Sequence, residues 1–495
     1  FDPVVNSWTG SPTFTFDVIP STQLYNLTLN ASTCCNTAII ASAAGDSVEV
    51  KNNLTHSDGS VSGTFQLKNN LIVNSGSDGG TGVIYIDGSS TQTYTTNGSH
   101  LTCHLSINKA AGAFEAAGGT TSLYIQKFTL ANGTFNAPSG TLAVGGNWGS
   151  SQTLFTHSGG TLNNNSGTLL INPNVTSWAS NPTFTFDIIN NTVFNNLNIN
   201  ATTCCNTAIV TTAANDTIDI EGTLTYTDGR SNATIEAAGS ITVGSAHDGG
   251  SGKLIFKGSA DQNFDLTGAT SSFDNDIIIN KASGKVILAS ACVLNAATQR
   301  MTFTKGNIET TSSNLLTYGD NFTVSGASDS SHVEGPVSKI GNDAFTFPIG
   351  ADDTLYAALR ISAPATTTSQ FTAEYFHVNP TSLYNIDSKD VALHHVSGCE
   401  YWNLDQVSGT SNITVTLSWA TRSCGVEVVS ELALARWNGT QWRSHGNGGT
   451  TGTIASGTIS SSSIMSNFGP MTLGSSTGNN TLPIELIKFE AKYDN

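Results

Sequence analysis

Ser7-Trp-Thr-Gly-Ser-Pro-Thr-Phe-Thr-Phe-Asp17 returns as Ser177-Trp-Ala-Ser-Asn-Pro-Thr-Phe-Thr-Phe-Asp187, an offset of 170 residues. The same offset carries Ala31-Ser-Thr-Cys-Cys-Asn-Thr-Ala-Ile39 onto Ala201-Thr-Thr-Cys-Cys-Asn-Thr-Ala-Ile209, and Asp78-Gly79-Gly80 onto Asp248-Gly249-Gly250. With a two-residue drift, Leu105-Ser-Ile-Asn-Lys109 meets Ile277-Ile-Ile-Asn-Lys281. Residues 1–170 and 171–330 read as two copies of one long unit, a length that points to a repeat architecture.

Within each copy, short segments alternate apolar and polar residues, as in Tyr25-Asn-Leu-Thr-Leu-Asn30, Gly82-Val-Ile-Tyr-Ile86 and Gly167-Thr-Leu-Leu-Ile171. Gly, Asn, Ser and Asp separate them, the residues that turn a chain between strands. No stretch keeps a 3.6-residue apolar period, so helix is expected to be nearly absent. Gly140-Thr-Leu142 returns as Gly160-Thr-Leu162, and these twenty residues read as one rung of a parallel β-solenoid. Asn-rich turns such as Asn52-Asn53 and Asn195-Asn196 are expected to stack into hydrogen-bonded ladders. A string of antiparallel sandwiches is the alternative. Longer strands, including Asn412–Trp419 and Leu432–Trp437, read as an antiparallel β-sandwich over residues 331–475. Residues 476–495 read as a linker and the first strand of a further domain, Leu482-Pro-Ile-Glu-Leu-Ile-Lys-Phe489. Because Phe1 aligns with Ile171, the chain is expected to begin partway through a rung, completed by chain upstream or by a neighbouring subunit.

Composition excludes several functions. The chain of 495 residues holds only 19 Lys and Arg against 36 Asp and Glu, a net charge of −17. Binding nucleic acid or inserting at an anionic membrane is not expected, since both need clustered cations. Hydrophobic residues make up 38%, enough for a folded core. Eight Cys beside so few Lys favour an oxidising, extracellular setting.

Catalytic chemistry is sparse. Asp248, Asp274, Asp276 and the pair Asp352-Asp353 are candidate acids for a β-helix glycosidase or polysaccharide lyase, yet no Arg/Lys cluster accompanies them. The scattered histidines, His394-His395 included, lack metal-ligand spacing. No cofactor is expected; Asp-Gly turns at Asp58, Asp78, Asp228 and Asp248 leave weak structural calcium open. The chain is not expected to be an enzyme. Cys399 and Cys424, 25 residues apart about the strand holding Trp419, are expected to form a disulfide. At about three rungs' separation, some 14 Å along the axis, Cys35 and Cys103 are not expected to pair. The adjacent Cys34-Cys35 and Cys204-Cys205 stay open between vicinal bridges, buried thiols and intersubunit links, and Cys292 is unassigned. Trp148, Trp437 and Trp442 are candidate platforms for stacking glycans, or else fillers of a core.

Gly140-Thr-Leu-Ala-Val-Gly-Gly-Asn-Trp148, His332-Val-Glu-Gly-Pro-Val-Ser-Lys339, Phe345-Thr-Phe-Pro-Ile-Gly350, Arg436-Trp-Asn-Gly-Thr-Gln-Trp442 and the closing Leu482–Phe489 resemble large secreted surface proteins of Bacteroidota. The resemblance implies export by the type IX secretion system and a cell-surface location. It gives the tripeptides Asp46-Ser47-Val48, Asp216-Thr217-Ile218 and Asp353-Thr354-Leu355 a reading as O-glycosylation sites at Ser47, Thr217 and Thr354. Together these observations point to a non-catalytic structural or adhesive protein, a stalk or fibre segment whose partners are copies of itself or extracellular glycans. Carbohydrate binding is the main alternative.

Overall fold

The computed structural model describes residues 1–4, 10–20, 22–32, 37–98, 100–176, 180–202, 206–268 and 273–482. Cys34, Cys35, Cys204 and Cys205, and the strand expected at 482–489 beyond its first residue, lie outside the described residues. The chain is all-β, with three single-turn 3₁₀ segments among the described residues. No helix there is long and apolar enough to cross a membrane. Two compact units divide in the neighbourhood of residues 255–272, a place marked by neither end of the sequence repeat.

The first unit is a parallel β-solenoid. Thr13–Phe16 pairs in parallel with Ile39–Ser42, and Leu27–Asn30 with Leu54–Ser62, which pairs in turn with Leu71–Gly80. Downstream, Ser122–Ile125, Thr141–Trp148, Thr168–Val175, Asn196–Asn200 and Leu224–Ser231 stack in the same way. Alternation sets the core: in Thr168–Val175 every second side chain is buried, and Leu169, Ile171 and Val175 face inward. Aromatic residues stack from rung to rung, with Phe155 4.7 Å from Phe128 and 5.4 Å from Phe186 between ring centroids.

The coil is not twenty residues long. Its length runs from 17 residues, Leu54 to Leu71, to 32, Gln152 to Phe184. Leu142 stacks on Leu169, and Leu162 on Phe135, so the two Gly-Thr-Leu tripeptides are not on successive rungs. The strands Gln152–His157 and Thr161–Asn163, and a turn with Asn165 and Ser166 in the left-handed region, come between Leu142 and its true neighbour. Turn length varies freely on the outside of a coil, so a short sequence period does not measure a rung.

The second unit opens with further parallel pairs. Asp276–Leu288 stacks on Arg300–Glu309, which stacks on Val333–Glu334, and that on Ile349–Ala351. Parallel pairing thus persists beyond residue 330. Val337–Ile340 is the switch: one side pairs in parallel with Leu316–Tyr318, the other antiparallel with Gln370–Phe376. From there antiparallel strands dominate, in a sheet running through Tyr401–Ser408, Gly469–Ser475 and Leu432–Trp437, and in a second built on Leu359–Ile361, Val415–Trp419 and Gly457–Ser460. Cys399 and Cys424 form the expected disulfide, their Cα atoms 6.3 Å apart.

Candidate functional site

Three kinds of polar device bond rung to rung. The first is an amide ladder at the Asn-rich turns: Asn69 Nδ2 donates to Asn52 Oδ1 (2.6 Å), and Asn52 Nδ2 donates to Asn26 Oδ1 (2.9 Å). The Asn195-Asn196 turn bonds its neighbours too, Asn196 Oδ1 accepting from the Thr223 backbone N–H (2.8 Å).

The second device explains the Ile-Asn-Lys motif. Lys109 is fully buried, its Nζ donating to the carbonyls of Gly88 (2.6 Å) and Ser90 (2.9 Å) and to Gln92 Oε1 (2.5 Å). Lys281, also fully buried, donates to the Ala260 carbonyl (2.8 Å) and Gln262 Oε1 (2.5 Å). Gln92 completes the arrangement by donating Nε2 to the Leu67 and Asn69 carbonyls. Burial pushes both ammonium pKa values down, and the ring of acceptors replaces the lost water. Gly133 and Gly306 cross directly above these lysines, where a Cβ would lie 2.6 Å from Lys109 Cβ and 2.8 Å from Lys281 Cβ. The sequence signal of this device is the recurrence of Gly-Ser-x-x-Gln at 88–92 and 258–262 ahead of each lysine.

The third device is an aspartate cap. Asp46 Oδ2 accepts from the Val18 N–H (3.0 Å) and Asp216 Oδ2 from the Ile188 N–H (2.8 Å), each one residue before a candidate O-glycosylation site. Ser47 is exposed and Thr217 half-buried; Thr354 is exposed.

Two grooves among the described residues exceed 400 Å³, ample for a ligand. In the second unit a charged groove of about 540 Å³ is lined by Asp261, Lys285, Lys305, Glu309, Asp353 and Thr354, among others. Lys285 Nζ reaches Glu334 (2.6 Å), Asp353 (2.9 Å) and Glu309 (3.8 Å). Burial opposes ionisation of Glu334, but His332 and Lys285 beside it outweigh that and hold its carboxyl at about 2. Three of the candidate acids have partners: Asp353 pairs with Lys285, Asp352 with His377 (2.8 Å), and Asp276 caps the Arg300 N–H (2.9 Å). In the first unit a groove of about 460 Å³ is lined by His100, Tyr124, Asn147, Asn172, Asn174 and Asn200, with Ala143 and Gly145 at its base.

Of the three candidate tryptophans, Trp442 takes the core-filling alternative. Trp442 is fully buried against Leu393, Val396, Ala433 and Ala435, so it fills a core and offers no face to a sugar. Trp437 is half-buried and meets Trp442 edge to face at 5.6 Å. The ring of Trp148 is covered by the Lys127 ammonium at 4.9 Å. The aromatic residues beside the first groove, Tyr124 and His100, went unnoticed in the sequence because neither is a tryptophan and they lie 24 residues apart.

Cys103 and Cys292 are buried free thiols, their pKa values pushed up to about 12 by burial. His56 is a satisfied core histidine, bonded to the Gly59 carbonyl and to Ser77 Oγ. The carboxylates of Asp58 and Asp228 each bond the N–H of the following glycine, as a turn requires. Among the described residues no group of three His, Cys, Asp or Glu is placed to hold a metal ion. The chain matches no protein family model, no curated protein and no solved structure.

Proposed function

We propose that this chain is a non-catalytic structural or adhesive protein of the bacterial cell exterior, a stalk or fibre segment exported by the type IX route. In this reading two copies of a 170-residue solenoid unit precede an antiparallel β-sandwich. The observation that carries it is the use of polar side chains to tie rung to rung, above all the paired Lys109–Gln92 and Lys281–Gln262 cores. Such groups face away from solvent and their bonds run to neighbouring turns, which suits resistance to load along the axis. The Cys399–Cys424 disulfide suits an oxidising compartment. O-glycans at Ser47, Thr217 and Thr354 would coat the exterior, and the partners are further copies of the chain or extracellular glycans.

Negative-stain microscopy of purified protein and of the native cell surface tests this reading. Rods or filaments labelled by antibody at the surface are expected; a purely intracellular pool overturns it. Turnover of any polysaccharide in a broad panel, abolished by Asp248→Ala, overturns the non-catalytic part.

A further inference from the structure

The groove of the first unit is built unlike the rest of the solenoid exterior. It lies on the outward side of Ser122–Ile125, Thr141–Trp148, Thr168–Val175 and Asn196–Asn200. Across that face Tyr124 registers with Ala143, Ala143 with Leu170, and Leu170 with Asn198. Two residues further along, Gly145 registers with Asn172. Ala143 and Gly145 project almost nothing, so a trough opens between the Tyr124 ring and the asparagine rows. His100 packs on Tyr124 with ring centroids 3.9 Å apart and extends the aromatic wall.

The polar lining is amide, hydroxyl and the His100 imidazole, with no Asp, Glu, Lys or Arg. Asn174 Nδ2 donates to Asn147 Oδ1 (2.8 Å), continuing the ladder motif. The side-chain amides of Asn172 and Asn200, by contrast, make no hydrogen bond within the described residues, and they sit one position beyond the registered pair Ile171–Ile199. Each therefore keeps two N–H donors and a carbonyl acceptor for a ligand, about 4.8 Å apart along the axis.

We infer that this groove binds a neutral glycan, its pyranose C–H face on Tyr124 and His100 and its hydroxyls on the Asn172 and Asn200 amides. A hydroxyl both donates and accepts, as an amide does, so unspent amides at rung spacing match a sugar better than any ligand of fixed polarity. An anionic glycan or a nucleotide finds no cation here and meets a chain of net charge −17. A purely apolar ligand would bury the amides unpaired. A peptide strand is disfavoured because the groove is a sheet face, whose backbone groups are already paired. Four rungs span about 14 Å, room for a short oligosaccharide.

This inference deepens the adhesive side of the proposed function and rests on it. Calorimetric titration of the full chain with neutral cello-, chito- and manno-oligosaccharides, and with polygalacturonate and alginate, tests it. At least one neutral series is expected to bind and both anionic ones to fail. Tyr124→Ala and Asn172→Ala are each expected to lower affinity at least tenfold, with Trp437→Ala unchanged. Asn172→Asp, which keeps the shape, serves if Tyr124→Ala fails to fold. No binding, binding of anionic glycans alone, or binding undiminished in Asn172→Asp overturns the inference. Filament formation is scored separately: rods without glycan binding overturn only the groove, and glycan binding without rods overturns only the structural reading.

Discussion

Thr13–Phe16 and the first four residues of Thr183–Ile188 spell the same Thr-Phe-Thr-Phe, and the fold treats them differently. The later strand lies between Gln152–His157 and Ile209–Thr212, while the earlier one pairs, among the described residues, only with Ile39–Ser42. Phe184 and Phe186 are fully buried in consequence; Phe14 and Phe16 are half-buried, and Phe1 lies 5.0 Å from Phe16. In a solenoid, burial belongs to the neighbouring coil and not to the local sequence. Phe186→Ala is therefore expected to cost about 3–5 kcal/mol and Phe16→Ala about 1–2, read from chemical denaturation of the full chain. Equal costs would break the comparison.

Charge separates the two grooves in the same way that neighbours separate the two strands. Glu334 in the second unit has its carboxyl held at about 2, below its value in an unfolded chain. A depressed carboxyl contributes stability that is complete above pH ~4.5 and drains away as pH falls towards 2. The contribution is about 2–3 kcal/mol, an upper figure for a group with some exposure. Melting of the second unit should fall steeply through that window, and Glu334→Gln should flatten the dependence. The neutral groove of the first unit has no such group, so glycan affinity there should stay level across the same range.

Where the two sequence copies keep the same neighbours, the comparison predicts equality. Lys109→Met and Lys281→Met each leave two backbone carbonyls and a glutamine oxygen without a donor, at a cost of about 2 kcal/mol. The two losses should agree within about 0.5 kcal/mol. A large difference, measured by denaturation, would mean that the lysines do unlike work despite like surroundings.

The alternation in Gly167–Ile171, the glycine and asparagine turns and the absence of helical periodicity made an all-β coil legible, as did the ladder at Asn52. The disulfide was legible because two cysteines stood alone in one stretch. Rung length was not, because Gly140 and Gly160 reflect a local preference for turn residues, while stacking is decided by how much chain the intervening turns consume. The burial of Trp442 was invisible for a related reason: its pocket is assembled from Leu393, Val396 and Ala433, and only the folded sheet brings these together. Sites made by register, such as Tyr124 facing Asn172 across Ala143 and Gly145, leave no contiguous motif to read.

The smallest expected effect concerns the aspartate caps, where a structural role and a modification signal fall on the same residues. Asp46 and Asp216 each accept a backbone N–H from the preceding rung and stand beside Ser47 and Thr217. Removing the acceptor orphans one amide, so Asp46→Ala and Asp216→Ala should each cost about 1 kcal/mol, equal in the two places. Asn in place of Asp keeps a side-chain oxygen at the same reach. If the carboxylate serves only as a cap, Asp46→Asn should restore most of the stability and leave the mass of the native, surface-expressed protein unchanged. If it also marks the neighbouring hydroxyl for an O-glycan, the same variant should keep its stability and lose a glycan's mass at Ser47. Peptide mass mapping alongside thermal melting separates the two outcomes. An Asp46→Ala variant as stable as the unsubstituted chain would show that the cap contributes nothing, leaving the carboxylate to the modification alone.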